Sequence, residues 1–236
     1  MHLSVAVAKV NKWAVREGGD TLEMLERPRG GLSLVLADGQ SSGPGAKAIS
    51  IWVVRKVVAE IAEGVRDGAA ARAANDALHA LRGGKVSATL VILSAELSSH
   101  TLVLTRCGDP PLFVRTPEGT LRQLPGGSPA LGFHRHARPS VDILPLEPGL
   151  VACAFTDGLV HAGSRAGRRL DIAAAIEELW ADVPTAQALA DGLLARAMAL
   201  DENRPTDDTS IAVLQILPGE GTGPRFMRAE MPVPDV

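Results

Sequence analysis

Apolar runs that stop at an aspartate are the feature that most limits what this 236-residue chain can become. LSLVLA (residues 32–37) runs straight into Asp38, VACAF (151–155) leads to Asp157, and Asp207-Asp208 stands just before SIAVLQIL (210–217). Such short runs read as buried strands, so each carboxylate is expected at a strand end, where buried backbone fixes its position. Asp20 shares the texture, following Gly18-Gly19 and preceding an alternating run. Ionised carboxylates crowded at one sheet edge repel one another and raise each other's pKa. Divalent ions that prefer oxygen ligands, Mg²⁺ or Mn²⁺, remove that conflict. Two such ions about 3.5–4 Å apart can lower the pKa of a shared water and present it in line to a phosphoryl group. Glycine directly after the aspartate, as at Gly39 and Gly158, lets the backbone bend and exposes a carbonyl as a further ligand. A single Asp-Gly pair is more often a turn, and Asp208 taken alone reads as a solvated loop acid. The joint pattern of four sites in order carries the reading.

Around these sites the chain reads as alternating blocks. Residues 3–10 and 21–27 are expected strands, with Pro28-Arg29-Gly30-Gly31 as the turn after the second. DGQSSGPGA (38–46) reads as a flexible loop. Ile49, Val53, Val57 and Ile61, spaced by four, then mark one helix. A second is expected over 69–81, stopped at Arg82-Gly83-Gly84. Residues 88–93, 100–106 and 112–115 read as an antiparallel meander. Residues 141–146 and 150–155 flank a tight Glu147-Pro148-Gly149 turn, helices follow at 168–180 and 185–199, and 210–217 is a last strand. Helix pairs between runs of antiparallel strands argue for two stacked sheets with helices outside. The expected organisation is one domain over 1–217 and a loosely ordered Gly/Pro-rich tail over 218–236.

Composition closes off other classes. A net charge of −3, from 24 basic and 27 acidic residues, gives no electrostatic case for a nucleic-acid or membrane partner. No apolar run approaches the roughly 20 residues that span a bilayer. The opening MHLSVAVAKVNKW, with Lys9 and Lys12 inside its apolar stretch, reads as a strand more than a signal peptide. Cys107 and Cys153 lack CxxC spacing and read as small buried hydrophobes in a reducing compartment. A cytoplasmic, monomeric protein is expected. With aromatic residues at 3%, its core must be built from Val, Leu, Ile and Ala.

Taken in order, GGD (18–20), LADGQSSGPGA (36–46), SATLVIL (87–93), CGDPPLFV (107–114), FTDGLVHAG (155–163) and TDDTSIAVL (206–214) resemble the metal-dependent type 2C protein phosphatases, especially their bacterial SpoIIE-like and RsbX-like branch. The resemblance implies an α+β fold, a four-layer αββα sandwich of two antiparallel sheets flanked by helix pairs. It also implies two Mn²⁺ or Mg²⁺ ions at one end. Asp38 would bridge both, the Gly39 carbonyl would serve one, Asp157 and Asp207 would bind the other, and Asp20 would complete the site beside Asp38. A metal-activated water, with no phosphoenzyme, would hydrolyse phosphoserine or phosphothreonine on a small STAS-domain regulator. Many relatives carry an arginine four residues before the first acidic ligand, which makes Arg16 the candidate phosphate ligand. The acid usual after Asp20 is replaced by Thr21. The short segment between Gly158 and Asp207 argues against the extra flap and third-metal acid of longer relatives.

Other residues read more blandly. His134 and His136 are expected as loop histidines, and His161 as a surface residue that could alternatively serve as general acid. Arg165, Arg168 and Arg169 read as a solvated helix start, with docking of an acidic or phosphorylated partner as the alternative. Two competing functions stay open: a catalytically silent phosphoprotein-binding module with the same fold, and a two-metal hydrolase of small phosphate esters.

Overall fold

The computed structural model describes residues 1–126, 128–220 and 223–230. Ten strands form two five-stranded antiparallel sheets. The first has the order β1 (His2–Val10), β10 (Thr209–Leu217), β9 (Val151–Phe155), β6 (Leu112–Arg115), β7 (Leu121–Leu124). The second has the order β2 (Asp20–Glu26), β3 (Gly31–Gly39), β4 (Ala88–Glu96), β5 (Thr101–Cys107), β8 (Ser140–Pro145). Helices α1 (Pro44–Ala62) and α2 (Asp67–Arg82) cover the second sheet, and α3 (Asp157–His161), α4 (Ile172–Asp182) and α5 (Ala186–Leu200) cover the first. The architecture is the expected αββα sandwich.

Strand alternation explains the layers, because side chains of period two face opposite sides of a sheet. Along β4, Leu90 and Ile92 point into the core under α1 and α2, while Val91, Leu93 and Ala95 point between the sheets. Along β10, Ile211 and Val213 meet α4 and α5, while Ala212, Leu214 and Ile216 fill the space between the sheets. Both faces of these strands are buried, so they read as continuous apolar runs. Helix α2 ends where expected, with Gly83 left-handed (φ 59°) and its N–H returned to the His79 carbonyl.

Several expectations change. The meander breaks after β5, because β6 crosses into the first sheet and pairs with β9 and with β7, a strand the sequence reading passed over. Glu147-Pro148-Gly149 joins strands of different sheets instead of closing a hairpin. Arg168 and Arg169 precede α4 and lie outside any helix, and the loop after Asp38 shrinks to residues 40–43. His134 and His136 sit on an exposed loop, as expected. The expectation for 218–236 falls partly on 221–222 and 231–236, outside the described residues. The described part of that stretch has no helix or strand, and Arg225 reaches Glu26 at 2.8 Å. Among the described residues no helix is long and apolar enough to cross a membrane.

One buried polar cluster ties α2 to its sheet. The Arg27 guanidinium donates to Ser33 Oγ (2.8 Å), Ser94 Oγ (3.0 Å), Asp67 Oδ1 (2.8 Å) and Glu96 Oε1 (2.6 Å). The Asp67 side chain is 0% exposed. Removing one partner of such a pair strands the other charge in the interior. Arg27→Ala should therefore lower unfolding free energy in urea by about 3–5 kcal/mol. A loss under about 1 kcal/mol would show that the helix is held by apolar packing alone.

Candidate active site

The chain delivers its acidic residues to one end of the sandwich. Asp20 opens β2 and lies directly opposite Asp38, near the end of β3, in the antiparallel register. Asp157 is the first residue of α3, just beyond β9, and Asp207 lies two residues before β10. Since β9 and β10 are paired, these last two come from adjacent strand ends of the first sheet while Asp20 and Asp38 come from the second. The sheets are joined at this point by hydrogen bonds. Thr156 Oγ1 (2.8 Å) and Ser210 Oγ (2.6 Å) both donate to Asp20 Oδ2.

A cleft of about 340 Å³ opens here, lined by Lys12, Asp38, Asp157 and Asp207, with Gln40 and Ser87 among its polar walls. The Gln40 N–H donates to the Ser87 carbonyl (2.9 Å) and the Ser87 N–H donates to Gln40 Oε1 (3.0 Å), which fixes the loop after β3 against the start of β4. Lys12 is the single cation among these lining residues, its Nζ 4.0 Å from Asp207 Oδ1.

Electrostatics single out Asp38. Burial, and then the charges of Asp20, Asp157 and Asp207, push its carboxyl well above the ordinary range. Burial likewise raises Asp20, against the opposing pull of the Ser210 and Thr156 hydroxyls and Lys9. Asp157 is raised by burial and by Asp207. Asp38 is thus the carboxylate on which the three others all bear.

The residues fit divalent ions in their chemistry. They offer hard carboxylate oxygens of one sign, and Asp20 Oδ1 is buried with no hydrogen-bond partner. The aspartates ring an open cleft. Among the described residues, no three acidic, His or Cys side chains are placed to hold one metal ion together. Mg²⁺ in particular keeps several waters and takes only one or two carboxylates, so an open ring suits it better than a cage.

Both Asp-Gly glycines are required by close approach and not by a bend. A Cβ on Gly39 would lie 2.1 Å from the Ala46 carbonyl oxygen of α1, and one on Gly158 would lie 2.2 Å from the Asp208 carbonyl oxygen. Neither has a positive φ.

Arg16 is exposed on the β1–β2 loop and is not among the cleft's lining residues; Lys12 stands there instead. Asp208 is the clearest correction. It is 4% exposed, not solvated, and accepts from the Lys12 N–H (2.8 Å) and the Gly19 N–H (2.6 Å). It therefore braces both the Lys12 segment and the glycine pair before Asp20. Thr21, where relatives have an acid, is buried and hydrogen-bonded to Ser50 Oγ of α1 at 2.7 Å. Thr156 and Ser210 were missed. Their signal is a hydroxyl residue inside or next to an otherwise apolar strand run, close in sequence to Asp157 and Asp207.

An αββα sandwich with aspartates gathered where both sheets end defines the class of the PP2C-type phosphatase domain. The PP2C phosphatase domain of SpoIIE from Bacillus subtilis, solved with a fragment of its regulatory domain, superposes with a TM-score of 0.75 at 18% identity over 92% of this chain. This chain spans 63% of that structure. RsbX in complex with magnesium gives 0.69 at 19% identity, over 91% of this chain and 95% of RsbX. The catalytic domain of the serine/threonine protein phosphatase PstP, in complex with two manganese ions, gives 0.69 at 19% identity over 92% and 99%. The family model of stage II sporulation protein E (SpoIIE) matches residues 28–217, and the chain belongs to that family. The match begins after Asp20, so the pairing of Asp20 with Asp38 rests on the structure itself. No curated protein matches the chain in sequence.

The raised carboxyls have a consequence for stability. A group whose folded pKa exceeds its unfolded value stabilises the fold below that unfolded value, 3.8 for these aspartates, and loses that contribution as pH climbs. In EDTA, Asp38→Asn should melt above the wild type at mildly alkaline pH, with the gap closing toward about pH 4. A variant that melts below the wild type across the whole range would remove the case for repulsion at this site.

Proposed function

We propose that this chain is a metal-dependent protein serine/threonine phosphatase that hydrolyses phosphoserine or phosphothreonine on a regulatory protein, of the STAS type the resemblance implies. The observation that carries the reading is the convergence of Asp20, Asp157 and Asp207 on Asp38 at the mouth of a polar cleft. In this reading Asp38, Asp157, Asp207 and Asp20, with the Gly39 carbonyl, would hold two Mn²⁺ or Mg²⁺ ions. The magnesium of RsbX and the manganese pair of PstP support metal dependence. When bound, the ions polarise the phosphoryl oxygens and lower the pKa of water in the cleft.

The chain's own groups do the rest. Four carboxylates balance two divalent cations, which leaves a phosphate dianion in need of a further positive charge. Lys12 supplies it from the cleft wall, its backbone fixed by Asp208. Lys12 thereby takes the phosphate-gripping role that sequence spacing suggested for Arg16. Thr156 and Ser210 hold Asp20 Oδ2 and so aim its free Oδ1.

Hydrolysis of p-nitrophenyl phosphate with added Mn²⁺, with EDTA and in Asp38→Asn tests the reading. Activity that needs both Mn²⁺ and Asp38 is expected. Absence of activity with any divalent metal would favour the silent phosphoprotein-binding module. Lys12→Ala should weaken competitive inhibition by inorganic phosphate about 10- to 100-fold, the worth of a charge-assisted hydrogen bond. Arg16→Ala should leave it within about twofold; the reverse pattern would return the role to Arg16.

A further inference from the structure

A second depression, of about 270 Å³, lies between the Ser164–Ala166 turn and the C-terminal end of α5, lined by Arg165, Leu200, Asp201, Glu202 and Arg204. It connects to the catalytic cleft through two short stretches of chain. Lys12 lines the cleft, and its neighbour Trp13 stands 56% exposed with the Arg204 guanidinium 5.6 Å from its ring centroid. Asp207 lines the cleft, and Arg204, three residues earlier, lines the groove. Three residues of chain span at most about 11 Å. The Trp13 N–H donates to the Pro205 carbonyl (2.9 Å) and clasps the two stretches together.

The groove's charges are unevenly committed. Asp201 accepts from the Gly163 N–H (2.8 Å) and the Thr206 N–H (3.1 Å), which uses both of its oxygens to close the local turn. Glu202 lies 3.7 Å from Arg168, whose guanidinium also caps the Leu200 carbonyl at the end of α5 (3.1 Å). Arg165 and Arg204 make no ion pair among the described residues and are both exposed. Glu202 and Asn203 take left-handed backbone (φ 54° and 58°), a turn from which Arg204 projects. An exposed tryptophan beside two arginines that make no ion pair among the described residues is the composition that protein interfaces favour.

We infer that Trp13, Arg204 and Arg165 form a docking strip for an acidic stretch of the phosphoprotein substrate, next to the phosphorylated residue held in the cleft. The inference rests on the phosphatase reading for the identity of the ligand. The short separation means that an extended segment of a few residues reaches from cleft to groove. The part of the Trp13 ring that Arg204 leaves uncovered takes its aliphatic atoms, and the guanidinium groups take its carboxylates. This assigns the arginine cluster its docking alternative, with Arg165 as the member that lines the groove.

The test is binding without turnover. Two fluorescein-labelled peptides that carry a non-hydrolysable phosphonate in place of phosphoserine, one flanked by aspartates and one by glutamines, are titrated with the full chain in Mn²⁺ at low salt and followed by anisotropy. The aspartate peptide should bind about tenfold more tightly, and added salt should erase the difference. The double variant Arg165→Glu/Arg204→Glu should lose that preference while keeping the glutamine peptide's affinity, which also reports an intact fold. Equal affinity of the two peptides for the wild type would overturn the docking strip, as would an undiminished preference in the double variant. Failure of p-nitrophenyl phosphate hydrolysis alone would count against catalysis and leave this binding result standing.

Discussion

Everything at the business end of this molecule follows from placing like charges where two sheets meet. Water would screen the four aspartates if they were apart and exposed. Burial against β2, β3, α3 and the start of β10 brings them together and lets Asp38 feel all the others. The fold tolerates this because the surrounding structure is over-determined. The sandwich buries three separate apolar clusters, and the hydroxyls of Thr156 and Ser210 give one Asp20 oxygen two strong donors. A site whose charges conflict in the bare chain is one that binding of cations relieves, so repulsion here is a store of affinity and not a defect.

Asp208 shows how the same end is built twice over. Its neighbour Asp207 faces the cleft, while Asp208 points inward and takes two backbone N–H groups from the β1–β2 loop. Consecutive residues entering a strand point to opposite sides, so this Asp-Asp pair gives one carboxylate to the cleft and one to architecture. The architectural one fixes Lys12 and Gly19 together, which couples the cation on the cleft wall to the turn that carries Asp20. Loss of a single buried carboxylate would loosen both sides of the cleft at once.

The sequence made the sandwich legible because both faces of its central strands are apolar and its helices come in pairs. The gathering of the four aspartates was legible because each stands at or next to a strand end. What stayed hidden were relations that local pattern does not encode. Which sheet β6 joins is decided by its pairing with β9, about forty residues away, and nothing in LFVR announces it. Asp208 looked solvated because its partners, Lys12 and Gly19, lie 196 and 189 residues earlier. Arg16 had the right spacing by analogy, yet a loop places side chains by its own turns. Lys12, four residues further back, is the one that arrives at the cleft.

The pairing of β1 with β10, His2 against Leu217, has a consequence for how the protein comes into being. The first sheet cannot close until β10 has emerged from the ribosome, while the strands and helices of the second are all made once β8 has emerged. Contacts this distant in sequence are slow to form, since loop closure must precede any reward from pairing. Ser210 and Thr156 arrive with the late sheet, so Asp20 is held in place only at the last step. Until β10 pairs with β1 and β9, the four aspartates are not gathered at one end of the sandwich.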